Sequence, residues 1–144
     1  LTKAIHTRSD DHGMDVLDAE LAATPRGLIF VNLVECDTEF GHRNDVAGYA
    51  ANLERFDARL ARLLPRLSGS DLLVITADHG NDPSTPSTDH SREYVPVLLY
   101  GRDVQAGRDL GTRPTFADLG QTLAALFGVP PLPHGTSFLG DVLR

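Results

Sequence analysis

Two short apolar runs on either side of an amphipathic segment constrain the fold of this chain more than any other feature. The first run is Gly27–Val34, GLIFVNLV, and the second is Asp71–Ala77, DLLVITA. Between them, Asp45–Leu67 places apolar side chains at three- and four-residue steps, the period of an amphipathic helix. Continuous apolar runs of this length are typical of strands buried on both faces, and the strand–helix–strand order predicts a right-handed crossover between parallel strands.

The remaining pattern extends this arrangement. Tyr94–Tyr100, YVPVLLY, predicts a third strand, and Thr115–Phe127 predicts a helix that Gly128 ends. A weaker helix is predicted over Asp15–Ala23, behind a short strand at Ala4–His6. The sequence therefore predicts an α/β fold with a mostly parallel sheet and flanking helices.

Length, composition and charge limit the size of the domain and the classes of partner expected for this chain. The 144 residues suffice for one compact domain or a portion of one, and 13 Lys and Arg against 20 Asp and Glu give a net charge of −7. Because the basic residues are scattered, no nucleic acid partner is expected, and no apolar run approaches the roughly 20 residues of a membrane helix. One cysteine and first residues without the apolar core of a signal peptide predict a cytoplasmic protein.

Carboxylates and imidazoles follow the predicted strands where each strand ends. Asp37 and His42 follow the first run, Asp78 and His79 follow the second, and His90 lies in the loop before the third. Carboxyl ends of parallel strands meet at one sheet edge, so these side chains are expected to converge. A mixed set of this kind suits manganese or zinc better than calcium, and it could serve one ion or flank two.

Nearby polar residues have a simpler interpretation. Asp45, Asp82 and Asp89 are interpreted as helix-cap or loop residues rather than partners of the ligands, and Cys36 as a buried, inert thiol. An acidic chain would repel an anionic substrate unless bound cations reversed the local field, which is a further reason to expect metal.

Three segments carry a family resemblance: Asp37–Tyr49, DTEFGHRNDVAGY; Thr76–Pro83, TADHGNDP; and Thr88–Pro96, TDHSREYVP. They resemble the metal-binding motifs of the phosphopentomutases, members of the alkaline phosphatase superfamily. TADHGN occurs across that superfamily, whereas the other two segments narrow the resemblance to phosphopentomutases. The similarity runs from Thr2 to the closing Gly135–Leu139, and so covers essentially the whole chain.

The resemblance implies a two-metal site. Asp37, His42 and His90 would ligate one Mn²⁺, and Asp78 and His79 would ligate the other, with different divalent metals possible. The family moves a phosphate between the 1- and 5-positions of ribose or deoxyribose through a phosphothreonine enzyme. The implied partners are thus a pentose phosphate substrate and a sugar bisphosphate activator.

Residues 1–144 depart from the family pattern in two ways. Asn44 stands where a second arginine is common, and Glu35-Cys36 replaces a more usual Asp-Phe. The family's N-terminal strand, phosphorylated threonine and cap domain have no counterpart, so residues 1–144 are expected to be the C-terminal portion of an alkaline-phosphatase-like core. No catalytic nucleophile is assigned, and the chain alone is expected to be inactive. Another metal-dependent phosphatase or phosphodiesterase of the superfamily, or a non-catalytic metal-binding fragment, stays open as an alternative.

Overall fold

The computed structural model describes residues 2–144, which divide into two compact units. The first comprises the chain up to Leu67 together with His79–Val95, and the second comprises Ser68–Asp78 with Pro96–Arg144. The first unit contains helices α1 (Asp10–Ala23) and α2 (Val46–Leu63). The second contains strands β1 (Leu73–Thr76) and β2 (Val97–Tyr100) and helices α3 (Ala117–Phe127) and α4 (Leu139–Val142). Within residues 2–144, no helix is both long and apolar enough to cross a bilayer.

Helix α1 begins earlier than the predicted Asp15. Ser9 caps its N-terminus, where the hydroxyl oxygen accepts a bond from the His12 backbone N–H at 3.1 Å. Asp10 and Asp11 in the first turn interact favourably with the helix dipole. The strand predicted at residues 4–6 does not form, since that segment has no regular structure.

Helix α2 confirms the amphipathic segment, although it ends at Leu63 and a 3₁₀ turn continues over Leu64–Arg66. Asp45 caps it by accepting a 2.9 Å bond from the Gly48 backbone N–H, as its interpretation as a cap requires.

The run at residues 27–34 is not a strand, which corrects the prediction. Burial alternates along it, so that Leu28 and Phe30 are 61% and 82% exposed while Leu33 packs on Gly13 of α1. A strand needs neighbouring backbone to pair with, and apolar composition alone does not supply one. Only one face of this run is covered within the described residues.

The mostly parallel sheet is likewise not formed among residues 2–144. β1 and β2 make a two-stranded antiparallel sheet in which Leu73 lies opposite Tyr100 and Thr76 opposite Val97. Both strands lie where they were predicted, but without the run at residues 27–34 in the sheet there is no crossover to make neighbouring strands parallel.

Helix α3 is confirmed, with Gly128 in a left-handed conformation (φ 64°) at its C-terminus. Asp118 in its first turn is 1% exposed and binds two partners. One oxygen accepts from Arg113 Nε at 2.9 Å and the other from the Thr136 backbone N–H at 2.8 Å. This carboxylate therefore ties the tail before α4 to the start of α3.

Candidate metal centre

Two short turns carry Asp37 and His42. A single π-helical turn spans Cys36–Phe40, and a 3₁₀ turn spans Gly41–Arg43, ending at Asn44 in a left-handed conformation (φ 52°). π-turns are rare and occur often at functional sites, because the wider turn changes the direction of its side chains. Here the two turns bring a carboxylate and an imidazole five residues apart to within 3.4 Å, measured from Asp37 Oδ1 to His42 Nε2.

The loop after Asp78 is closed so that His79 and His90 meet. Gly80 and Ser91 form an antiparallel bridge, with the Ser91 N–H donating to the Gly80 carbonyl at 3.2 Å. A Cβ on Gly80 would lie 2.7 Å from the backbone of both Ser91 and Glu93, so only glycine fits here. Each histidine directly precedes a bridge residue, and their rings stack at 3.8 Å between centroids.

One oxygen of Asp37 is the centre of the cluster. Asp37 Oδ1 lies 3.3 Å from Nε2 of His90, 3.4 Å from Nε2 of His42 and 4.0 Å from Nε2 of His79. Asp37, His79 and His90 each offer a ligand atom within 4.8 Å of the others. Their side chains are 28 to 45% exposed, which leaves the cluster open to an ion.

Hydrogen bonding orients the imidazoles towards this oxygen. His42 Nδ1 lies 2.6 Å from the Thr88 carbonyl oxygen, which only accepts, so the Nδ1–H donates and a neutral ring has its lone pair on Nε2. That lone pair faces Asp37. Two acceptors pointing at each other repel unless a proton or a metal ion lies between them, and a carboxylate with imidazole nitrogens is a donor set that divalent transition metals accept.

The predicted ligands are placed as follows. Asp37, His42, His79 and His90 lie together in the first unit, and His79 is beside His90 rather than apart from the first group. Asp78 is exposed and belongs to the second unit.

Two contacts of the site were not predicted from the sequence. The Asn81 side-chain amide donates to Asp37 Oδ1 at 2.8 Å, and the Thr88 carbonyl accepts from His42 Nδ1 at 2.6 Å. Asn81 lies within the TADHGN segment, so a signal for it was present. Nothing in the sequence indicates the carbonyl, because any residue carries one.

Asp82 and Asp89 are loop residues, as interpreted from the sequence, whereas Cys36 is half-buried rather than buried. Asp82 accepts bonds from the Ser84 hydroxyl and backbone N–H, and these two bonds lower the pKa of its carboxyl. Asp89 accepts a 2.9 Å bond from the His90 backbone N–H.

The thiol of Cys36 lies beside Asn52. Cys36 Sγ accepts a bond from Asn52 at 3.1 Å, but burial has the larger effect and raises the pKa of the thiol. The thiolate form is thus less available at Cys36 than at an ordinary exposed cysteine.

Comparison with known proteins identifies the class of protein. A family model described as the metalloenzyme superfamily matches residues 2–131, and the chain belongs to that superfamily.

Individual relatives narrow the comparison. The chain is 55% identical over 144 residues to a phosphopentomutase of Anaeromyxobacter sp. (strain K), 51% over 143 residues to one of Kosmotoga olearia, and 49% over 142 residues to one of Caldanaerobacter subterraneus subsp. tengcongensis. These matches cover 99 to 100% of the chain but only 36 to 37% of the relatives' length.

Proposed function

We propose that this chain is the C-terminal metal-binding part of a phosphopentomutase, an isomerase that interconverts (deoxy)ribose 1-phosphate and (deoxy)ribose 5-phosphate. The observation that carries the proposal is the single carboxylate oxygen of Asp37 facing three imidazoles, in a chain similar over its whole length to phosphopentomutases. The reaction belongs to nucleoside metabolism in the cytoplasm and uses a pentose phosphate with a sugar bisphosphate activator.

Two Mn²⁺ ions are proposed at this site. Asp37, His42 and His90 would hold the first ion, since Nε2 of each histidine lies within 3.4 Å of Asp37 Oδ1. Asp78 and His79 would contribute to the second. The ions would supply positive charge to the phosphoryl oxygens in a chain whose net charge is −7. The chain's own residues orient the ligands: the Thr88 carbonyl sets the His42 tautomer, and the bridge at Gly80 brings His79 to His90.

The run at residues 27–34 is proposed to become a strand of the mostly parallel sheet in a longer polypeptide. Its burial alternates as in a strand, and Leu28, Phe30 and Val34 present apolar surface on the face that α1 does not cover. A polypeptide as long as the relatives would have further segments available to pair with this run.

A chimera tests the function. In the phosphopentomutase of Anaeromyxobacter sp. (strain K), the matching segment is replaced by this chain, and the product is assayed with ribose 1-phosphate and Mn²⁺. Formation of ribose 5-phosphate at a rate within about tenfold of the parent is expected, since a tenfold loss costs only about 1.4 kcal/mol of barrier. An Asp57→Ala chimera, altered at an exposed carboxylate of α2, serves as the matched control and should keep this rate.

The other outcomes separate the alternatives. Release of inorganic phosphate without ribose 5-phosphate would support a phosphatase. A folded chimera that binds Mn²⁺ and converts nothing would support a non-catalytic metal-binding fragment.

A further inference from the structure

Asn81 approaches the same carboxylate oxygen that the imidazoles face. Its Nδ2 donates to Asp37 Oδ1 at 2.8 Å, while Nε2 of His90 lies 3.3 Å from that oxygen. A carboxylate oxygen has two lone pairs, so one can accept from the amide while the other remains directed at the imidazoles. A donor on Oδ1 also resists rotation of the carboxylate, which would otherwise be free to exchange its two oxygens.

Gly41 makes the space that the Asn81 amide occupies. It is buried, and its φ of −60° and ψ of −59° are right-handed helical angles that any residue adopts. A Cβ at this position would lie 2.2 Å from Asn81 Nδ2 and 2.6 Å from its Cγ. Glycine is therefore required here for close approach to Asn81 and not for backbone freedom.

The loop that carries Asn81 has other means of closure. The Gly80–Ser91 bridge joins its two sides, and the Ser91 hydroxyl accepts from the Asp82 backbone N–H at 2.7 Å. Within the described residues, the hydrogen bond of the Asn81 side chain runs to Asp37 and not to the loop itself. This amide is thus directed at the ligand and is not part of the loop's own bonding.

We propose that Asn81 is a positioning residue that holds Asp37 Oδ1 towards the imidazoles, and that Gly41 is the matching space without which the amide could not reach it. The inference rests on the proposed function in that Asp37 is taken as a ligand. Asn81 itself does not ligate the ion, because its contact with the site is the donated bond to Asp37.

The first test is a calorimetric titration of the 144-residue chain with Mn²⁺. Removing a partner that orients a ligand typically costs 10- to 100-fold in metal affinity, and a loss of about that size is expected for Asn81→Ala. Ser84→Ala is the matched control, since Ser84 is an exposed residue of the same loop that binds only Asp82 among the described bonds. It should bind Mn²⁺ within about twofold of the unaltered chain.

The second test combines two substitutions. Gly41→Ala should push the Asn81 amide off Asp37 and weaken Mn²⁺ binding by a similar factor. In an Asn81→Ala background there is no amide to displace, so adding Gly41→Ala should weaken binding no further. Coupled residues fail additivity in this way, whereas two independent structural defects would multiply their effects. Thermal midpoints measured without metal show that each variant is folded.

Each result decides a separate point. Asn81→Ala binding within about twofold of the unaltered chain would overturn the positioning role alone, and multiplied losses in the double variant would overturn the pairing with Gly41. An unaltered chain that binds no Mn²⁺ would overturn the metal site of the proposed function, and the positioning role with it.

Discussion

Asp37→Ala is expected to weaken Mn²⁺ binding by this chain by more than about 100-fold, because even a partner that only orients a ligand contributes 10- to 100-fold. Asp37 Oδ1 lies 3.4 Å from Nε2 of His42 and 3.3 Å from Nε2 of His90, so its removal leaves these two imidazoles without the negative charge that attracts the ion. Calorimetric titration at fixed pH measures the effect.

Asp57→Ala is the control for this prediction. Asp57 is exposed on α2, and its substitution removes the same formal charge from the same unit. The Mn²⁺ affinity of the Asp57→Ala variant should therefore stay near that of the unaltered chain. An Asp37→Ala chain that binds Mn²⁺ within about threefold of the control would show that Asp37 is not a ligand and that the ion lies elsewhere.

Asp118→Ala is expected to destabilise the second unit by about 3 kcal/mol. This value is at the lower end of the range for breaking a buried ion pair, because the Arg113 side chain is a quarter exposed. The substitution removes the acceptors of Arg113 Nε and of the Thr136 N–H, and both bonds are shorter than 3.0 Å. Urea unfolding, with hydrogen exchange of α3 amides to assign the loss to this unit, measures the change.

Asp141→Ala supplies the matched comparison. Asp141 also lies in the first turn of a helix of the second unit, but it and its partner Arg108 are 52% exposed and 3.7 Å apart. An exposed pair of this kind contributes about 0 to 1 kcal/mol, so this variant should be nearly as stable as the unaltered chain. Equal stability of the Asp118→Ala and Asp141→Ala variants would show that the burial of Asp118 and its bonds does not add to the stability of the second unit.

Local features of the fold were predictable from local sequence. The periodicity of residues 45–67 correctly predicted α2, and Gly128 correctly predicted the end of α3. β1 and β2 lie inside the predicted runs. The start of α1 was missed although Ser9 followed by two aspartates is a capping signal.

Long-range pairing was not predictable in the same way. The run at residues 27–34 has the composition of a buried strand, yet Phe30 is 82% exposed and the expected parallel sheet is replaced by the antiparallel pair β1 and β2. Apolar pattern reports what a segment can bury, whereas strand partners and direction depend on which other segments are adjacent.

In the candidate site, too, some residues were predictable from the sequence and some contacts were not. Position after the predicted strands and the family motifs singled out Asp37, His42, Asp78, His79 and His90. The structure brings four of them, Asp37, His42, His79 and His90, together in the first unit, although the run before Asp37 is not a strand and no parallel sheet edge forms among residues 2–144. The contacts that orient them come from a backbone carbonyl at Thr88 and from the fit of Asn81 against Gly41. Such contacts depend on three-dimensional proximity, and residue type alone gives no signal for a carbonyl.

The most direct measurement is crystallographic. Crystals of the chain grown with Mn²⁺, measured on both sides of the manganese absorption edge, locate the ion without reference to any assumed ligand. We expect an anomalous peak at bonding distance from an Asp37 carboxylate oxygen and from Nε2 of His42 and His90, the ligands proposed for the first ion. Saturating Mn²⁺ with no peak at this cluster, or a peak held only by other carboxylates of this acidic chain, would contradict it.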